Sequence, residues 1–202
     1  MSKKALAEFY YNNNLIDNIN TINVSRISRT IRNSYTEVDR EACPVVINQH
    51  LAYLWLADRV RWDEPINFTD LQDVHFTLFK YIHPDKDNGR IRTTDKKIRA
   101  YQCPSPTDIN HQIDQFENLL ILADDIIIYG EENANLFFWY VHNVFECIQP
   151  FAYGNGRIGR FLFNILRLRH GMGINTWNVS RIKYYNAIKK FEKIFRERYN
   201  VK

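Results

Sequence analysis

The sequence predicts an all-α domain with one small β-hairpin. Three observations point there. Apolar residues recur at helical spacing through most of the 202 residues. Five of the seven glycines lie between Gly154 and Gly173, so the rest of the chain has few helix breakers. One segment, Asp87 to Pro106, alternates instead of following a helical period.

In chain order, residues 1–48 read as an N-terminal helical extension and 49–202 as the core domain. Asn48 to Val60 carries Leu51, Leu54, Trp55 and Ala57 on a helical period. Asp70 stands as an N-cap before Leu71, Val74, Leu78 and Ile82. The stretch DNGRIRTTDKKIRAYQCPSP is a hairpin turning at Thr94–Lys96, stopped by Pro104 and Pro106. Asp108 to Leu122 is the next helix, with Ile109, Ile113, Phe116 and Leu120. Asn133 to Ile148 is apolar on most of its circumference, the mark of a central, buried helix. Gly156 to His170 is apolar too, and Gly171 offers its C-cap. Ile182 to Tyr199 is amphipathic with a basic outer face.

Hydrophobic content of 45% and charged content of 25% place the chain in the ordinary globular class. The net charge of +4 is mild and no long Lys/Arg run occurs, so no nucleic acid partner is indicated. Three isolated cysteines show neither a CxxC nor a metal spacing, which fits a reducing compartment. No apolar run approaches the roughly 18 residues of a membrane span. MSKKALAEFYYNNN has no apolar h-region, so no Sec signal is expected. The cytoplasm is the expected compartment; a bacterial effector exported without such a signal would read the same way.

The segment QPFAYGNGRIGR, Gln149 to Arg160, carries the chemistry. Gly154 and Gly156 permit a backbone that turns N–H groups inward, and the following helix adds its free N–H groups and dipole. Such a nest binds phosphate. Arg157 and Arg160 lie one helical turn apart, Asn155 adds a donor and acceptor, and a guanidinium fork suits phosphate oxygens. As a bare pattern, a helical corner with two surface arginines fits equally. The two apolar helices on either side favour a rigid, functional loop.

These residues resemble the Fic (Fido) signature HxFx(D/E)GNGRxxR, matched at Phe151, Gly154, Asn155, Gly156, Arg157 and Arg160. Four further features are similar. His142 stands seven positions before the motif's first position, GRIRTTDKKI looks like the family's hairpin flap, FLFNILRLRHG looks like its apolar helix ending in glycine, and Arg181 to Tyr185 looks like its late R-x-x-Y segment. The resemblance implies transfer of AMP from ATP to a protein hydroxyl. It implies a motif histidine as base, a motif acid that holds Mg²⁺, and a GNGR nest and arginines that hold the triphosphate. It also implies a flap, here Arg92, Thr93, Thr94 and Ile98, that pairs with the target by strand addition. Tyr184 is expected to line the nucleotide base or to fill its groove.

Two positions depart. The base position is Gln149, whose amide has no useful basicity; losing a general base costs roughly 10²–10⁴-fold. The acidic position is Tyr153, and a neutral phenol is a poor Mg²⁺ ligand, so no metal-binding residue is expected. Many members also carry an inhibitory helix, (S/T)xxxE(G/N), whose glutamate pairs with the second motif arginine. SRTIRN, Ser28 to Asn33, is similar, with Arg32 at the glutamate position, and it precedes a T-x-V segment at Thr36 and Val38. The expectation is a brake without its carboxylate, with Arg32 repelling Arg160 or adding to an anion site. HPDKDNGR, His83 to Arg90, echoes the motif but reads as a polar loop leading to the flap. His142 and His75 read as packing residues, His142 with a backbone partner.

The sequence therefore points to a catalytically degenerate member that binds ATP, another nucleotide or another phosphate ligand, or a partner protein through the flap. An active transferase with altered chemistry, and a non-catalytic regulatory subunit or homodimer, are the alternatives.

Overall fold

The structure, a computed structural model, describes residues 3–17, 23–32, 44–61, 65–80, 82–83, 87–98, 101–125 and 130–199. Among these lie eight helices and one two-stranded ribbon. They run α1 (Lys3–Ile16), α2 (Val24–Arg32), α3 (Pro44–Arg61), α4 (Phe68–Phe79), β1 (Lys97–Ile98), β2 (Tyr101–Gln102), α5 (Ile109–Asp125), α6 (Glu131–Ile148), α7 (Asn155–Arg169) and α8 (Arg181–Tyr199). The all-α class with a small hairpin holds. No helix among the described residues is long and apolar enough to cross a membrane.

The core is built on α7. It packs against α6, α3, α4, α1 and α5, while α6 also packs against α5 and α8. Ile158, Leu162, Ile165 and Leu166 of α7 meet Phe138, Val141, Phe145 and Ile148 of α6 in one buried cluster. The extension belongs to this core. α1 buries Leu6, Phe9 and Tyr10 and touches α7 and α8, and the expected boundary after residue 48 falls inside α3.

Two elements differ from the sequence reading. The N-cap of α4 is Asn67, not Asp70. Asn67 Oδ1 accepts from the Asp70 N–H (3.1 Å) and the Asp70 carboxylate accepts from the Asn67 N–H (2.9 Å), a reciprocal capping box. Asp70 also receives Arg59 at 2.7 Å, so it is a buried ion-pair partner inside the first turn.

The hairpin is shorter than expected. Among the described residues the strands pair Lys97 with Gln102 and Ile98 with Tyr101, the Cys103 N–H donates to the Lys96 carbonyl (3.0 Å), and the Thr94–Lys96 segment precedes β1 instead of forming the turn. The upstream residues are committed elsewhere. The Arg92 N–H donates to the Pro150 carbonyl (2.9 Å), so this stretch lies along the motif loop.

Candidate functional site

The motif loop joins the ends of the two central helices. Gln149 ends α6 in the left-handed region (φ 49°, ψ 60°), with its N–H on the Phe145 carbonyl at 3.1 Å. A side chain there costs about 1 kcal/mol or more, so something must hold it. Gln149 Nε2 donates to Glu146 Oε2 (2.9 Å), and Asn155 Nδ2 donates to Gln149 Oε1 (3.0 Å). Both ends of the amide are thus occupied. Asn155 closes the loop further, donating to the Phe151 carbonyl (2.7 Å) and accepting the Phe151 N–H (2.9 Å).

Gly154 caps α7 at φ 75°, and no side chain caps that helix end. A side chain at 154 would be strained and would run into the Phe79 ring. Arg157 lies over the same ring, 4.3 Å from its centroid. Arg160 is fully buried, 5.0 Å over the Tyr184 ring. Both guanidinium groups share one carboxylate. Asp17, just past α1, lies 2.8 Å from Arg160 Nη2 and 3.3 Å from Arg157 Nε. Asn13 of α1 adds its side-chain oxygen (2.5 Å) and carbonyl (3.2 Å) to Arg160. Arg160 Nη1 and Arg157 Nε remain without a hydrogen-bond partner. Burial draws the Arg157 pKa down to about 10 against the pull of Asp17. For Arg160, burial is outweighed by Asp17, Tyr184 and Glu146, which hold its pKa above the usual value.

The carboxylate beside Arg160 therefore comes from α1, and the expectation of an arginine pair without one is corrected. Ser28 is buried on α2, Arg32 ends that helix, and Arg32's side chain and Asn33 lie outside the described residues. The sequence did carry a signal. Asn13 to Asn18, NNLIDN, fits (S/T)xxxE(G/N) with Asn for the hydroxyl and Asp for the glutamate. Asparagine offers a polar side chain in place of the hydroxyl and aspartate is one methylene shorter than glutamate, and Asn18 also lies outside the described residues.

Tyr153 occupies the acidic position. Its hydroxyl donates to Asn88 Oδ1, and its ring packs on His75, Phe79 and His83. Burial and Asp87 raise its pKa, so it is a neutral phenol. His83, Asn88 and Gly89 of the polar segment that the sequence set apart from the site thus dock on the motif. His75 fastens them. The Gly89 N–H donates to Nδ1 (2.9 Å), so Nε2 carries the proton and donates to the Tyr153 carbonyl (3.0 Å). Burial lowers the His75 pKa to about 4, which keeps that tautomer neutral.

Arg92 is the other fastener. It is buried and donates to the carbonyls of Gln149 (2.8 Å), Thr94 (2.7 Å) and Pro104 (2.6 Å). This corrects its assignment to the target-binding face. Thr93 and Thr94 are exposed, Ile98 is half-buried, and Lys96 donates to the carbonyls of Phe151 (3.0 Å) and Ala152 (2.8 Å).

Behind the loop, Tyr184 is buried, its hydroxyl 3.0 Å from His142 Nε2 and 3.4 Å from Glu146 Oε1. It fills the groove and offers no face to a nucleobase, and His142 has a phenol as its partner instead of the expected carbonyl. Glu146 was missed by the sequence reading, although a lone carboxylate three residues before Gln149 on an apolar helix was a visible signal.

The sequence profile of the Fic/DOC family matches residues 65–166, just over half of the chain and all of the loop described above. The chain belongs to the Fic/DOC family. Among its relatives, "Protein adenylyltransferase Fic" of Nematostella vectensis is 26% identical over 177 residues. That match covers 84% of this chain and 40% of the relative, so the chain spans less than half of that relative's length. A probable protein adenylyltransferase of Aquifex aeolicus is 41% identical over 51 residues, 25% of this chain and 16% of the relative. A solved Fic-domain signalling protein from Bacteroides thetaiotaomicron shares the fold, with TM-score 0.73 at 18% identity over 93% of this chain and 72% of that one. Fic-1 from C. elegans gives 0.69 at 20% identity over 91% and 54%.

The Fic position for a metal-holding carboxylate does not fit Mg²⁺ here. Tyr153 is a neutral phenol whose hydroxyl donates to Asn88, and a neutral phenol is a poor Mg²⁺ ligand. Beside that position two buried guanidinium groups face one shared carboxylate, and Arg160 Nη1 has no hydrogen-bond partner.

Proposed function

We propose that this Fic-family chain keeps a phosphate- or nucleotide-binding loop and has lost AMP transfer by the family mechanism. One observation carries the reading. Gln149, at the base position, has both amide ends tied to Glu146 and Asn155, while Arg157 and Arg160 stay buried at the uncapped start of α7 with donors to spare. No basic lone pair faces the nest, so no side chain at that position takes a hydroxyl proton. The helix end and the guanidinium pair still attract an anion. In the free protein Asp17 answers part of that charge, and a ligand phosphate takes its place. The exposed Thr93, Thr94 and Lys97 offer a partner protein an extended edge.

The test is calorimetric titration of ATP into the purified protein, with and without Mg²⁺, beside incubation with labelled ATP and candidate protein targets. The expected result is micromolar binding that ignores Mg²⁺, is removed by Arg157→Ala, and is accompanied by no label on protein. Transfer of label that Arg157→Ala abolishes would overturn the loss of catalysis; no binding at all would overturn the anion site.

A further inference from the structure

Beneath the nest, Glu146 is 5% exposed and boxed in. A Cβ at Gly159 would stand 3.1 Å from Glu146 Oε1 and one at Gly156 3.5 Å, so the two glycines let α7 pass directly over the carboxylate. The same Gly156 position is 3.1 Å from Arg160 Nη1 and 3.4 Å from Asp17 Oδ1. Two carboxylates and an unpaired guanidinium donor therefore converge under the backbone that would cradle a phosphate. The groups facing Glu146 are Arg160 of α7, Asp17 after α1, Tyr184 of α8, His142 of its own helix (Nε2 at 3.8 Å) and, farther off, Lys96 before β1. His142 and Tyr184 are buried and uncharged.

We propose that Glu146 couples anion binding at the nest to uptake of a proton, so that the site takes its phosphate ligand together with H⁺ from solvent. This rests on the reading of the nest as an anion site. A phosphate entering here meets two like charges at close range. Asp17 has a partly exposed side chain at the mouth and can swing out. Glu146 cannot leave, so its negative charge is relieved only by protonation. The protonated form has a hydrogen-bonding place ready. The carboxyl O–H donates to the Tyr184 oxygen, and the Tyr184 hydroxyl turns to donate to His142 Nε2. Burial, the largest influence, already raises the Glu146 pKa to about 7 in the free protein, and an added anion raises it further.

The test uses ATP without added metal, above pH 7.5, where its phosphates are fully ionised. From pH 7.5 to 8.5 the Kd of the unmodified protein is expected to weaken about five- to tenfold, the limit being about tenfold per pH unit for one proton. Glu146→Gln is expected to change less than about twofold over that range. Titration at pH 8 in two buffers of different ionisation enthalpy reads the proton directly on the unmodified protein, and about half a proton or more per ATP is expected. Binding that persists with no proton uptake, or an equal slope in Glu146→Gln, overturns the coupling and leaves the anion site standing. Absence of ATP binding at every pH overturns both.

Discussion

Asp17 is the residue on which the proposed anion site turns. It ties together two guanidinium groups that otherwise share a buried corner, and its side chain is the more exposed partner. Removing its charge leaves two positive groups facing each other and a ligand that no longer competes. Asp17→Asn is therefore expected to tighten ATP binding about five- to tenfold, the size of an ordinary coupling energy between two bound groups. The same substitution is expected to lower stability by about 1 to 3 kcal/mol, because Arg160 loses its buried counter-charge. Calorimetry and urea unfolding read the two effects. Unchanged or weaker affinity would mean that Asp17 builds the site instead of occupying it. The sequence concealed this residue because its pattern uses Asn and Asp where the family pattern has a hydroxyl and a glutamate, and a looser match, SRTIRN, lay nearby.

At the scale of elements, the flap depends on one buried arginine. Arg92 spends its donors on carbonyls of the α6 end, the flap itself and Pro104, and its backbone N–H on Pro150. Charged hydrogen bonds to buried carbonyls are worth about 1.5–3 kcal/mol each at most, and leaving those carbonyls unpaired adds to the loss. Arg92→Ala is expected to release residues 90–98 from the motif loop, to destabilise the protein by about 2–3 kcal/mol and to speed amide exchange at Cys103 and at position 92. Exchange rates equal to those of the unmodified protein would show that the ribbon holds itself. This anchoring also explains which elements the sequence disclosed. α5, α6, α7 and α8 follow from apolar period and from glycines, and their ends came within a few residues. The hairpin was legible but its short extent was not, because Arg92, a polar residue in an alternating run, reads as solvent-facing when its partners are carbonyls far away in sequence. The docking of Asn88 and Gly89 was hidden for the same reason: Tyr153 to Asn88 and His75 to Gly89 are contacts between segments with no shared pattern.

For the whole molecule, three buried ionisable groups set how stability follows pH. His75 has a pKa of about 4 in the fold against 6.5 unfolded. Between those values the unfolded chain holds a proton that the folded one does not. Its contribution is thus complete above pH 6.5 and is lost as pH falls toward 4, about 3 kcal/mol in all. His142, lowered by burial and Arg160, acts in the same direction. Glu146 acts in the opposite one. Its pKa of about 7 against 4.5 unfolded means that its contribution is complete below pH 4.5 and is lost as pH rises through 7, again about 3 kcal/mol. Between pH 4.5 and 6.5 His75 and Glu146 offset each other, so the rise there is due to His142, and stability peaks near pH 6.5 before Glu146 draws it down. Glu146→Gln removes only the falling limb. Its unfolding free energy from urea titration is expected to lie within about 1 kcal/mol of the unmodified protein's near pH 5 and to exceed it by about 2 to 3 kcal/mol at pH 8. An equal gain at both pH values would assign the effect to packing. A gain confined to high pH would show that the fold carries an ionised carboxylate at a cost, the cost that the proposed proton uptake with ligand would relieve.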